Sequence, residues 1–409
     1  MKERAILHSD ANCFYASVEA VLNPDLRGKA VAVCGSEEER HGIVLAKSEK
    51  AKRAGVTTGM PNWKAREICP DIIIVKPHFE YYSKFSKMLH EIYERYTDYV
   101  EPFGLDECWL DVTDSMKSPM EIAEEIRQAV KDELGLTVSI GVSFNKVFAK
   151  LGSDLKKPDA ITEITRESFK GQIWDLPCGD LLYCGRSTQE ELSRIGVKTI
   201  GELASLKLEY MQRKFGKNGI ELWSFANGLD TSAVSHKDFC EPAKSIGHGI
   251  TCVEDIKTTE EACKVIYALC QDIGHKLRAM KLRSRGVSLG IKDKDLSYQS
   301  YRESLDFPTQ DEGKIAKVAC DMLKARHDPR RYIRALTVTA IKLESEETVE
   351  QIDMFYDYES AEKKKRLSKV IDDIKSEFGN GSIVPAIILD EDKMPKKEQG
   401  KVLPGHMKK

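Results

Sequence analysis

The chain has 409 residues, 41% of them hydrophobic and 32% charged, with a formal net charge of −3. That is too long for one ordinary domain and rich enough in apolar residues for real cores, so about two to four globular domains are expected. No apolar run approaches a membrane span, and Met1-Lys2-Glu3-Arg4 opens no signal-peptide core, which argues against membrane and secreted classes and for the cytoplasm. Eleven cysteines, an odd number with no C-x-x-C pair, read as small buried hydrophobes in a reducing compartment; Cys13, Cys34, Cys252 and Cys320 lie in apolar segments.

In chain order, Ala5 to Ser9 reads as a buried strand with Asp10 at its C-terminal end. Ala11 to Val21 has helical spacing and stops before Asn23-Pro24. A single Asp at such a junction is ordinarily a helix cap, and it becomes a candidate ligand only if other acids come alongside. Residues 28–78 form a compact stretch: a strand from Ala30 to Cys34, a polar loop, and Ile43 to Ala46. Lys47, Lys50, Lys52 and Arg53 follow, a cluster that suits phosphates or an ordinary surface helix equally well. A helix is predicted from Tyr81 to Tyr96, with Phe85, Met88, Leu89, Ile92, Tyr93 and Tyr96 as its apolar stripe.

The stretch from Val100 to Thr113 places adjacent carboxylates, Asp106 and Glu107, between a bend at Gly104 and a half-buried strand from Cys108 to Val112. Two acids beside Trp109 and Leu110 repel each other and are costly to desolvate unless a cation lies between them. Hard carboxylate oxygens suit Mg²⁺ held together with substrate phosphates, although a solvated acidic turn has the same sequence. A helix from Pro119 to about Leu134 and a strand from Thr137 to Val142 come next, then Ser143 to Leu151 and Ser153 to Pro158. The order suits a ferredoxin-like sheet with helices on one face, which would set Asp10 and the acid pair on neighbouring strands.

Three segments now carry a resemblance. Ser9-Asp10-Ala11-Asn12-Cys13-Phe14-Tyr15-Ala16-Ser17-Val18-Glu19 is similar to the first motif of Y-family translesion DNA polymerases. Leu105 to Thr113 is similar to the second, and Gly141 to Lys150 with Lys156-Lys157-Pro158 to the third, in the same order and spacing. The similarity is greatest to the bacterial DinB and UmuC-like branch and covers about residues 4–345. It implies an α+β multidomain polymerase: a ferredoxin-like palm (1–27 and 79–170), small fingers (28–78), a helix-hairpin-helix thumb (171–239), an α/β little finger (240–345) and a tail (346–409).

Carried over, the resemblance makes Asp10, Asp106, Glu107 and the backbone carbonyl of Ala11 the holders of two Mg²⁺ ions, spaced to clamp an in-line phosphoryl displacement. Lys52 and Lys157 would meet the triphosphate. Phe14 and Tyr15 would line the incoming sugar, with Tyr15 as a steric gate against a ribose 2′-hydroxyl; from the residues alone both read as core packing. Glu49 stands where the family usually has Tyr, Gly104 where Ser is commonest, and Asn12 where many members have an acid.

Downstream, Gly185 and Arg186 open a helix ending near Gly196, and a second starts after Val197, similar to a helix-hairpin-helix whose glycine turn admits DNA phosphates. Lys214 to Gly219 reads as another such turn. After a linker at Cys240-Glu241-Pro242, Ser245–Thr251, Glu260–Met280, Val287–Ile291 and Leu336–Leu343 suit a small sheet covered by two helices. Residues 241–345 carry 19 basic against 15 acidic residues. Within them Lys276, Arg278, Lys281, Arg283, Arg285 and Lys292 form a strip without an acid, which with Lys244 is expected to follow the DNA backbone. Gln351, Ile352, Met354 and Phe355 resemble the peptide by which bacterial polymerases dock on the β sliding clamp. Leu367, Val370, Ile371, Ile374 and Phe378 form a helical stripe stopped at Gly379. The expected partners are primer-template DNA, deoxynucleoside triphosphates and the clamp, with a monomeric chain. The competing readings are a non-catalytic DNA-binding or recruitment factor that keeps the fold, and a two-metal nuclease.

Overall fold

The computed structural model describes residues 3–40, 42–348, 358–379, 381–389 and 392–394. It divides into two compact units, one built on Met1–Gly35 and Ile43–Cys240, the other on Ser36–Gly42 and Glu241–Lys401. The first contains strands β1 (Ile6–Ala11), β2 (Val31–Cys34), β3 (Val44–Lys47), β4 (Ile73–Val75), β5 (Val100–Pro102), β6 (Glu107–Asp111), β7 (Val138–Ser143) and β8 (Ile161–Ile164). They form a five-stranded sheet, β5-β6-β1-β7-β8, and a small one, β3-β2-β4.

Within the larger sheet β5, β6, β1 and β7 are antiparallel neighbours, and helices Phe79–Tyr93 and Pro119–Leu134 make the crossovers. This is the β-α-β-β-α-β, ferredoxin-like order, with β8 added parallel to β7. Every residue of β1 is buried, because the strand is covered on both faces. On one face Leu7 and Leu110 pack with Leu89, Ile126 and Val130 of the crossover helices. Helix Pro119–Leu134 has sharp ends for local reasons: a Ser118–Glu121 capping box at its start and Gly135, at φ 65°, at its close. Helix Phe79–Tyr93 begins two residues before the sequence expectation and ends before Tyr96, which still packs against the same core.

The other face carries helix Lys146–Leu155, which lies unusually close to the sheet. A Cβ on Gly141 of β7 would sit 1.8 Å from the Ala149 carbonyl oxygen and 2.6 Å from the Ser153 nitrogen, so only glycine permits this approach. Helices Arg186–Arg194, Ile200–Ala204 and Leu208–Ala226 pack around Leu192, Ile200, Leu203, Met211 and Leu222. Gly196 turns between the first two at φ 81°, and Gly216 breaks the third.

The second unit has strands β9 (Ser245–Ile256), β10 (Leu282–Asp293), β11 (Tyr298–Thr309) and β12 (Ile333–Ser345) in the antiparallel order β11-β10-β12-β9. Helices Thr259–Ala279 and Glu312–Arg326 join their apolar residues to one core with Leu289, Leu336 and Val338. Strand β11 was not expected from the sequence; it is an edge strand with half its residues exposed and few buried, and with many polar side chains, so it carries little hydrophobic signal. A helix from Tyr358 to Phe378 follows, and Lys393 adds a backbone bond to Val253 of β9. Of the eleven cysteines Cys240 alone is exposed, at the residue where the chain passes from the first unit to the second. The clamp-peptide residues Gln351, Ile352, Met354 and Phe355 lie outside the described residues.

Candidate active site

Strand pairing assembles the three acids. Asp10 stands directly opposite Glu107 in the β1–β6 ladder, and opposed residues of an antiparallel pair share a face. Asp106 ends the β5–β6 turn beside Gly104 at φ 121°, and its carbonyl accepts a 2.9 Å bond from the Ala11 N–H, tying the turn to β1. Burial pushes the Asp10 carboxyl up to about 7 despite the opposing pull of Lys157, and pushes Asp106 up to about 6 with help from Glu107. Burial acts on Glu107 in the same direction, but the His8 contact and Lys150 outweigh it and hold that carboxyl at about 2.

Two lysines neutralise the cluster. Lys157 Nζ bonds Asp10 Oδ2 at 2.6 Å and Asp154 at 2.8 Å, while Lys150 Nζ bonds Glu107 Oε2. Buried like charges whose ionisation is opposed by their surroundings are what a divalent cation relieves, and three carboxylates are hard oxygen donors. The residues therefore fit such an ion, although among the described residues no three acid, His or Cys side chains converge on one point as they stand. Asp111 takes no part: its carboxylate accepts from the Thr113 N–H and hydroxyl. Asn12 faces away too, bonded to Ser139 and Thr137 on the β7 side.

Beside the acids, Cys13 turns the chain at φ 50° into helix Phe14–Leu22. Phe14 is buried. Tyr15 is half-buried and stacks on Tyr82 with centroids 4.1 Å apart and planes at 10°, and Phe79 meets it edge-on. Lys52 lies on the five-residue helix Glu49–Arg53, half exposed and 3.8 Å from Glu49. The Glu49 carboxylate accepts a 3.2 Å bond from the Cys13 thiol, and burial with this contact pushes that thiol up to about 12.

Sequence reading missed three participants: Lys150, His8 and Ser153. Their signal was positional, since His8 is two residues before Asp10 and thus on its face of β1, while Lys150 and Ser153 lie on the helix that Gly141 admits.

The expected nucleic-acid contacts divide. Gly185 precedes helix Arg186–Arg194, and Arg186 is exposed with Glu190 2.9 Å away. Lys276 and Lys281 are exposed, and Lys244 is exposed with Glu241 at 2.7 Å. Arg278 does not fit a free phosphate contact: its side chain is 13% exposed, bonded to Asp372 at 2.6 and 3.0 Å and to Glu312 at 2.7 Å. Arg283 and Arg285 both bind Glu344. The strip read along the sequence as acid-free meets its acids from distant segments.

Residues 9–154 match the impB/mucB/samB family model, 243–354 the C-terminal domain of that family, and 179–230 the thumb domain described for DNA polymerase-iota. A DNA polymerase IV of Acetivibrio thermocellus is 46% identical over 392 residues, covering 95% of this chain and 98% of that protein. This chain belongs to the Y-family DNA polymerases. Among Y-family relatives, the DNA polymerases IV of Clostridium acetobutylicum and Bacillus anthracis are 33% and 35% identical, over 95% and 92% of this chain and 99% and 92% of their own. A solved Y-family DNA polymerase chimera superposes with a TM-score of 0.74 over 83% of this polymerase and 98% of that chain; at 23% identity it attests the fold.

Proposed function

We propose that this polymerase extends a primer 3′-hydroxyl by nucleotidyl transfer assisted by two Mg²⁺ ions, in translesion synthesis that tolerates DNA damage. The observation that carries the reading is the pairing of Asp10 with Glu107, with Asp106 tied to Ala11 and the Tyr15 ring alongside. Asp10, Asp106, Glu107 and the Ala11 carbonyl would hold the ions, which when bound lower the pKa of the 3′-hydroxyl and neutralise the triphosphate. Lys157 and Lys52 present cations to the phosphates. Phe14 and Tyr15 form the wall for the sugar. Gly185, Arg186, Lys244, Lys276 and Lys281 follow the duplex backbone without reading sequence, a contact that positions but does not specify. Residues Gln351 to Phe355 lend residence time by docking on the sliding clamp, and the chain works as a monomer.

Primer extension on undamaged and abasic templates tests this. Wild-type protein should extend both in the presence of Mg²⁺, and Asp106→Ala should lose about 10²–10³-fold or more in rate, the scale of removing a group that stabilises transferring phosphoryl charge. Extension that survives Asp106→Ala would refute the site.

A further inference from the structure

Two residue pairs behind Asp10 and Glu107, on the same face of the sheet, His8 is wholly buried, opposite Trp109 on β6 and Gly141 on β7. Its Nδ1 meets Ser153 Oγ at 2.9 Å, and its ring meets Trp109 edge-on at 5.1 Å. Nε2 lies 3.5 Å from Glu107 Oε2 and has no other hydrogen-bond partner among the described residues. A buried polar atom left in that state is costly unless it serves its one neighbour.

The surroundings close a loop on that neighbour. Ser153 Oγ also reaches the Lys150 carbonyl at 2.7 Å, and the Lys150 ammonium bonds the same Glu107 oxygen. The single Ser153 hydroxyl proton can go to the carbonyl or to His8 Nδ1. When it goes to His8, the ring proton sits on Nε2 and points at the carboxylate. The closest approach of each, from the His8 ring and from the Lys150 ammonium, falls on Oε2.

We propose that His8, backed by Ser153, is a positioning residue for Glu107: it fixes the carboxylate through Oε2 so that Oε1 is kept for the reaction. The proposal rests on Glu107 belonging to the cation site. His8 itself touches neither nucleotide nor primer.

The test compares His8→Phe, which keeps the ring against Trp109 but offers no nitrogen, with His8→Gln, which restores an N–H donor and an acceptor. Two quantities are read: Mn²⁺ affinity of the complex with a dideoxy-terminated primer, by electron paramagnetic resonance, and kcat against nucleotide KM. His8→Phe should lose about 10–100-fold in Mn²⁺ affinity and in kcat, the usual scale for a group that orients a metal ligand, with KM changed less than about twofold. His8→Gln should recover most of the loss. A folded His8→Phe with both quantities within about twofold of wild type, a loss confined to KM, or a His8→Gln no better than His8→Phe would overturn the proposal. If His8→Phe does not fold, Ser153→Ala decides: it should lose Mn²⁺ affinity several-fold, and an unchanged affinity overturns the role. Asp106→Ala run in parallel separates the two readings, because extension surviving there refutes the site itself rather than the positioning of Glu107.

Discussion

Tyr15 is held by its neighbours more than by its own position in the helix. Its ring lies flat on Tyr82, which is fully buried and anchored through its hydroxyl to the buried Glu19 carboxylate, and Phe79 closes the edge. To turn aside, Tyr15 would have to give up this stack. If Tyr15 lines the sugar, a 2′-hydroxyl would meet a wall, and discrimination would come from a clash built against the wrong substrate. Tyr15→Ala should raise ribonucleotide incorporation relative to deoxyribonucleotide on the order of 10²-fold, roughly 3 kcal/mol of selectivity; competition primer extension with both substrates measures it, and unchanged exclusion would place the gate elsewhere. That Asp10, Asp106, Glu107 and Tyr15 come close together was legible in the sequence because each sits in a motif of fixed order. The contacts of His8 and Lys150 with Glu107 were not, because they exist only once β6 is registered against β1 and a helix is laid on Gly141.

At the scale of elements, the basic strip shows how a one-dimensional reading misplaces charge. Arg278 lies on helix Thr259–Ala279, Lys281 in the turn at φ 52°, and Arg283 and Arg285 on β10. The arginines find partners at Glu312, Glu344 and Asp372, up to 94 positions away. The helix Tyr358–Phe378 thus docks partly through charge: Asp372 binds Arg278 and sits 3.3 Å from His275, while of the expected apolar stripe only Ile371 and Ile374 are half-buried and Leu367, Val370 and Phe378 are exposed. Arg278→Ala should accelerate hydrogen exchange in that helix about tenfold, equivalent to about 1.4 kcal/mol, and leave the salt dependence of DNA binding unchanged. Lys276→Ala combined with Lys281→Ala should do the reverse, making the slope of log K against log salt shallower by about 1.8 if each lysine meets one phosphate. Equal effects of the two changes on DNA binding would return Arg278 to the interface. Helix Pro119–Leu134 was fully legible, because its capping box and terminal glycine are local. Strand β11 was not, since an edge strand needs no apolar face.

For the whole molecule, the near-neutral net charge conceals an uneven distribution, with the basic excess confined to residues 241–345. If so modest an excess meets few phosphates, attachment to DNA would be weak with a shallow salt dependence, and a clamp peptide would compensate for it. Gln351→Ala with Phe355→Ala should abolish pull-down by the sliding clamp while leaving extension on short primer-templates within about twofold; retained pull-down would dismiss the peptide. The cysteine pattern has a practical corollary. Ten of the eleven thiols are buried or half-buried, and Cys13 is held up to about 12, far from its reactive thiolate form. A maleimide dye should therefore attach first at exposed Cys240, where the chain leaves one unit for the other, with half-buried Cys263, whose thiol the Cys320 contact holds below its ordinary value, as the second site. The native sequence thus carries its own labelling handle at the boundary of the two units, and a fluorophore can be placed there without engineering a cysteine.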